Sequence, residues 1–377
     1  MFDFRALRRL HFRQIPLILM LMAVSLIVIS LTTLPSMHGS DEPFFTPLVL
    51  SQLRWFVLGS GVFLLAAAFD YQKLREFTWF FYLIMILLLI GLFFTTPVNA
   101  ARRWYRLPGL AFQPSEYAKL TCVITLSWFL ERRSQSIQTL STALQAGLIV
   151  GIPFVLILKQ PDLGSSLVLY PITLVMFYFG GIQMRIVKGM LLLFFTGLLL
   201  IFPIFSGLVS HEEARPLFTK VLKDYQYERL NPNTYHQKAS KTAIALGGLT
   251  GSGFRKSEFT GHKWLPEAQT DSVFAAFTEE FGFIGAIGVL ALYFLLIFFG
   301  FQVTAVAKDH FGRLLSSGIT VYLAFHVIVN IGMMCKILPI TGVPLVLLTY
   351  GGSSVLTTMA ALGILQSVYT RRYMFVL

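Results

Sequence analysis

The chain of 377 residues is 55% hydrophobic and only 13% charged, with a mean hydropathy of +0.71. A soluble globular surface does not tolerate that balance, so a water-soluble enzyme is excluded and lipid is the solvent of most of the chain. The net charge of +12 suits the anionic headgroups of membrane lipids and requires no nucleic acid partner.

A hydrocarbon core about 30 Å thick takes about 20 apolar residues per helix. The stretch from Ile15 to Leu34 meets this without a charge. Arg5, Arg8, Arg9 and Arg13 precede it like a leader, but the apolar run is long and no small-residue cleavage site follows, so an uncleaved helix is expected. Further spans are predicted near Pro47 to Phe69, Phe77 to Phe94, Tyr117 to Leu130, Leu140 to Leu158, Leu163 to Ile182 and Met190 to Val209. After a long polar stretch come Phe281 to Val303, Leu314 to Met334 and Val343 to Val368. No strand-like alternation runs through them, so the fold class is an all-α integral membrane protein of about ten transmembrane helices.

Lys and Arg mark the cytoplasmic side of short loops. Lys73, Arg75, Arg132, Arg133, Arg185, Lys188, Lys308, Arg313, Arg371 and Arg372 then fall inside with both termini, and the loop between helices seven and eight falls outside. No repeat or low-complexity tract is found. The expectation is one membrane domain, residues 1–377, with a long extracytoplasmic loop over 210–280. Cys122 and Cys335 both map to predicted spans, with no disulfide framework or metal spacing.

Candidate functional residues are those that break membrane rules. Arg102, Arg103 and Arg106 lie outside against the charge trend. They either snorkel to headgroups beside Trp104 and Tyr105 or line a pocket for a lipid pyrophosphate. Pro114 opens helix four, and Glu116 in its first turn suits the helix dipole. Lys119, one turn on, needs a partner: either Glu116 at i, i+3, or an anion in an aqueous cavity. Arg54 and Asp162, near the outer ends of spans, could pair across helices. Glycine and proline at Gly342, Pro344, Gly351 and Gly352 interrupt the last span, which permits a cleft or a transport path. Asp271, by itself, reads as a helix cap beside Thr270. His211, His236 and His262 share the long loop at no zinc spacing, and His326 with Asn330 reads as an interhelical hydrogen-bonding face.

Arg102-Arg103-Trp104, then Phe112-Gln113-Pro114-Ser115-Glu116-Tyr117-Ala118-Lys119 and Gln160-Pro161-Asp162-Leu163-Gly164, resemble the motifs of the SEDS family of shape, elongation, division and sporulation proteins. Leu265-Pro266-Glu267-Ala268-Gln269-Thr270-Asp271, Glu279-Glu280-Phe281-Gly282-Phe283, Asn330-Ile331-Gly332-Met333 and Pro339 through Ser354 continue the pattern in order. The loop from Ser240-Lys241-Thr242 to Gly247-Gly248-Leu249-Thr250-Gly251-Ser252-Gly253, and the short N-terminal tail, look like the elongation members rather than the division members. The sequence departs from the family at Ala100, Ala239, Ser272, Lys336 and Thr349.

The resemblance implies a peptidoglycan glycosyltransferase of the bacterial inner membrane, active outside the cytoplasm in cell elongation and cell shape. Its substrate would be lipid II. Partners implied are a class B penicillin-binding protein (a transpeptidase) and the elongation machinery. Asp271 is then the candidate base for an acceptor hydroxyl, its pKa raised by apolar neighbours. Arg102, Lys119 and Arg229 are candidate cations for the pyrophosphates, with Gln226 in a Tyr-Gln-x-x-Arg element, and Arg54, Arg103, Glu116, Asp162 and Lys241 complete the expected substrate-binding set. A pyrophosphate leaving group needs charge neutralisation more than a proton, so a second catalytic carboxylate is not required. No cofactor is implied with certainty, although a divalent cation could bridge Asp271 and a pyrophosphate. The competing readings are a lipid II flippase, the division-type polymerase, and a scaffold that recruits its partner.

Overall fold

The computed structural model describes residues 2–33, 44–96, 102–107, 110–220 and 223–373. Ala100 lies outside them. Apolar stretches become helices because hydrocarbon offers no partner to backbone N–H and C=O groups. In chain order these are α1 (Gln14–Thr33), α2 (Pro47–Ala68), α3 (Leu74–Gly91), α4 (Pro114–Arg132), α5 (Leu140–Lys159), α6 (Leu163–Gly180) and α7 (Met184–Ser206). Four short helices follow: α8 (His211–Phe218), α9 (Asp224–Glu228), α10 (Tyr235–Gly247) and α11 (Glu258–Gly261). The chain then forms α12 (Val273–Val306), α13 (His310–Met334) and α14 (Gly352–Thr370). Side-chain caps set several starts: Thr46 accepts from Val49 N with Pro47 behind it, Thr139 from Thr142 N, and Asp309 from Gly312 N.

Among the described residues, eight helices are long and apolar enough to cross a membrane. The other two expected spans, α4 and α14, fall short of that composition. Both are buried along most of their length by neighbouring helices, so Glu116, Lys119, Gln366 and many Ser and Thr residues replace apolar ones without meeting lipid. Helix α13 lies in the middle, against α4, α6, α12 and α14, and α14 runs along α2. That last approach is close: a Cβ on Gly363 would sit 2.5 Å from the Phe63 carbonyl oxygen. Helix α7 is at the periphery, with Leu192, Leu193, Phe195, Leu199 and Phe202 exposed.

Three features differ from the expected all-helical spans. A short hairpin, β1 (Tyr105–Leu107) with β2 (Leu110–Phe112), pairs Tyr105 opposite Phe112 ahead of α4. Helix α12 begins at Val273, ahead of the expected Phe281, and breaks at Gly282, whose φ of 65° and ψ of −166° are not helical. The backbone groups freed by the break are satisfied by the glycine-rich turn after α10. Ser252 N donates to Glu279 O (2.9 Å), Gly253 N to Glu280 O (3.1 Å), and Phe283 N to Gly248 O (2.9 Å). A side chain at Gly251 is incompatible with this approach, since its Cβ would stand 2.0 Å from the Glu280 carbonyl oxygen.

Third, residues 335–351, which include the first part of the expected last span, are irregular although Val343, Leu345, Val346, Leu347 and Leu348 are buried. Buried backbone of this kind survives only when its polar groups find partners in the protein. They do: Leu345 N donates to Thr349 Oγ1 (2.8 Å), Tyr350 N to Gln269 O (2.9 Å), and Asn330 Nδ2 to Val343 O (2.9 Å). Cys122 is buried in α4, whereas Cys335 caps α13 and is exposed rather than inside a span.

Candidate active site

Asp271 does not cap α12; Ser272 holds that position, and its Oγ lies 2.6 Å from His236 Nε2. The backbone around Asp271 is pinned from two sides. Its carbonyl accepts from Asn330 Nδ2 of α13 (3.1 Å), and the Thr270 carbonyl accepts from Thr349 Oγ1 (3.2 Å) of the irregular segment. Gly342, at φ 73°, lies beside the carboxylate, and a Cβ there would be 3.5 Å from Oδ2.

Burial raises the Asp271 pKa from 3.8 to about 6. The Glu267 carboxylate pushes it the same way, Arg103 and Arg229 oppose, and Asp162 adds a smaller upward push. Two guanidiniums carried by distant parts of the chain therefore act electrostatically on the carboxylate. Arg103 precedes the hairpin and donates to the carbonyls of Gln160 (3.4 Å) and Pro161, with Asp162 at 4.0 Å. Arg229 follows α9 and reaches the Thr341 carbonyl at 3.5 Å. The expected pairing of Asp162 with Arg54 is not formed; Asp162 caps α6 at Ser165 N and accepts from Ser115 Oγ (2.9 Å) and Gln113 Nε2 (3.1 Å).

Lys119 has no exposed surface. Its Nζ lies 2.7 Å from Glu116 Oε1, 2.8 Å from His326 Nε2, and 5.5 Å from the centre of the Tyr322 ring. His326 Nδ1 lies 3.0 Å from the Pro344 carbonyl, which can only accept, so Nδ1 carries the proton and Nε2 accepts from Lys119. The pair expected at i, i+3 is present, and a chain of polar contacts joins α4 through α13 to the segment that holds Asp271. Lys119 therefore presents no surface to an anion from outside the bundle.

Among the remaining expected residues, Arg102 is exposed and donates to the Phe93 carbonyl, and Arg54 and Lys241 are exposed on α2 and α10. Gln226 is turned away to cap α9, accepting from Lys223 N at 3.0 Å. Sequence reasoning missed the influence of Glu267 on Asp271 and the His236 to Ser272 contact; a carboxylate four residues before Asp271 was the signal for the first. The pair Glu279-Glu280 is structural. Glu279 accepts from Phe259 N, Thr260 N and Thr260 Oγ1, and Glu280 from Ser257 Oγ. Among the described residues no three His, Cys, Asp or Glu side chains group to hold a metal ion. His211 stacks on Tyr227 and His262 on Trp264.

The fold and site define a multi-pass membrane protein with a half-buried carboxylate, Asp271, under the electrostatic influence of two guanidiniums, Arg103 and Arg229. The chain belongs to the FtsW/RodA/SpoVE family: the family model described as cell cycle protein matches residues 12–374. It is 32% identical to the peptidoglycan glycosyltransferase RodA of Treponema pallidum, covering 86% of this chain and 90% of that one. It is also 32% identical to the peptidoglycan glycosyltransferase MrdB of Escherichia coli, covering 94% of each. A probable peptidoglycan glycosyltransferase FtsW of Geobacter metallireducens is 31% identical, again over 94% of each chain. The fold is similar to the crystal structure of the rod shape determining protein RodA of Thermus thermophilus, with a TM-score of 0.70, 26% identity, and 97% and 98% of the two chains covered. A chain from a structure of a peptidoglycan synthase complex, concerned with coordination of polymerization and crosslinking, aligns with a TM-score of 0.73 at 27% identity over 97% and 99%.

Proposed function

We propose that the protein is a peptidoglycan glycosyltransferase that polymerises lipid II on the outer face of the membrane during cell elongation, with Asp271 as general base. The observation that carries this reading is the Asp271 carboxylate beside Gly342, its backbone pinned by Asn330 and its neighbour Thr270 by Thr349, with the charges of Arg103 and Arg229 acting on it. A base works best when its pKa lies close to the operating pH, and Asp271 is tuned toward it by burial. The acceptor's 4-hydroxyl oxygen attacks the anomeric carbon of the donor sugar and its proton passes to Asp271. The bond from that carbon to the pyrophosphate oxygen breaks, and undecaprenyl pyrophosphate leaves with the electron pair. Arg103 and Arg229 stabilise the charge that develops on it. Arg102, Arg54 and Lys241, all exposed, draw the anionic substrate in. Lys119 and Glu116 act as positioning residues through His326. The partner is a class B penicillin-binding protein, docked through its own membrane helix.

Purified protein in liposomes with lipid II and this partner is expected to make glycan chains resolvable on a gel, and a parallel assay follows lipid flipping. Flipping without polymer would overturn the transferase reading. Because only the ionised carboxylate accepts a proton, kcat/KM is expected to rise through an apparent pKa of about 6 and level off above it. A flat profile from about pH 5 to about pH 8 would remove Asp271 as base.

Both termini are assigned to the cytoplasm and the 210–280 loop to the outside. In a background lacking the exposed Cys335, a cysteine placed at the exposed Lys241 is expected to react with an impermeant reagent in right-side-out vesicles. Cysteines at Arg132 and Arg372 are expected to stay unlabelled, and the opposite pattern reverses the topology.

A further inference from the structure

The ends of α3, α4 and α5 remote from Asp271 border an open cavity of about 640 Å³, lined by Trp79, Trp128, Arg132, Arg133, Gln145 and Leu148 among others. It lies about 24 Å along α4 from Glu116, at 1.5 Å per residue. That distance places it at the opposite membrane face from the candidate active site.

Its charge is unbalanced. Glu131, the carboxylate nearest in sequence, is drawn away to Arg75 (2.8 Å) and accepts from Phe311 N (3.2 Å). Among the described residues neither Arg132 nor Arg133 has a carboxylate within ion-pair distance. Arg132 instead lies over the Trp128 ring, 5.3 Å from its centre, which fixes the guanidinium at the mouth of the cavity without neutralising it. The surface that continues from the cavity is apolar. Leu144, Leu148 and Ile152 form one exposed row on α5, and Leu83 and Leu87 form another on α3.

We propose that this cavity binds the phosphodiester headgroup of an anionic phospholipid from the surrounding bilayer, with its acyl chains along those two rows. Two guanidiniums supply charge-assisted donors to the phosphate oxygens. Gln145 adds a neutral donor, and the tryptophans sit at headgroup level, where amphipathic rings prefer to be. The two apolar rows distinguish a lipid from a free anion, since a soluble phosphate has no use for them. Naming the leaflet as the inner one rests on the topology proposed above; the binding itself does not.

The test is native mass spectrometry of the full chain in detergent micelles, equilibrated with equal amounts of phosphatidylglycerol and phosphatidylcholine of matched acyl chains. Wild type is expected to retain the anionic lipid about tenfold over the zwitterionic one. Arg132→Gln/Arg133→Gln should reduce this to about twofold or less, while Arg185→Gln, at an exposed arginine outside the cavity, leaves it unchanged. Equal retention of the two lipids by wild type overturns the proposal, as does an unaltered preference in the double variant. An equal loss in Arg185→Gln would mean general surface charge, and displacement by millimolar inorganic phosphate would mean a free-anion site. Either also overturns it.

Discussion

Asp271→Asn is expected to lower polymerisation by about 100-fold or more while the protein folds and becomes more heat-stable. The amide keeps the size of the carboxylate but cannot take the acceptor's proton. The stability gain follows from the raised pKa. Folding favours the protonated form of Asp271, so its contribution is most favourable below pH 3.8 and is lost as pH rises through about 6. At neutral pH the buried charge opposes folding, and the amide removes it. Glycan yield and the thermal unfolding midpoint, measured on the same preparations, separate the two effects. Normal polymerisation by the variant would remove Asp271 from the chemistry. A large drop in the unfolding midpoint would make the loss a folding defect.

Lys119→Met should be the most destabilising single change in the site. Glu116 Oε2 is buried with no partner of its own and Oε1 relies on Lys119, so the substitution leaves a carboxylate buried and unpaired, at a cost of about 3–5 kcal/mol. The double variant Glu116→Gln/Lys119→Met removes both charges and should recover most of that stability. It should not recover activity. Without Lys119, His326 Nε2 loses its donor, and the histidine that holds the Pro344 carbonyl is freed to turn. A drop of about tenfold or more in kcat with KM little changed is expected for the double variant. Full activity in it would show that the pair only neutralises itself, and a single variant as stable as wild type would deny the buried ion pair any structural weight.

The site was legible in parts. The run from Gln113 to Lys119 showed a charged pair at helical spacing, and its geometry is as expected because i, i+3 contact is decided within one turn. Asp271 was legible only through its motif. Read alone it is a helix cap, and the structure gives the cap position to Ser272. Gln226 looked like part of the same constellation, yet its side chain caps the short helix it belongs to.

The sequence alone determined that the chain is a multi-pass helical membrane protein and roughly where its apolar helices run. Hydropathy and capping are local, and a bilayer demands that each span satisfy its own backbone. Only the tertiary structure decided where helices break and which charges meet. Gly282 can leave helical geometry because the turn after α10 supplies the missing partners. Residues 335–351 can be irregular because α13 and Gln269 satisfy them. Arg103 and Arg229 act on one carboxylate because the hairpin and the α9 region converge there. In each case the deciding interaction lies between residues far apart in the chain, where periodicity carries no information.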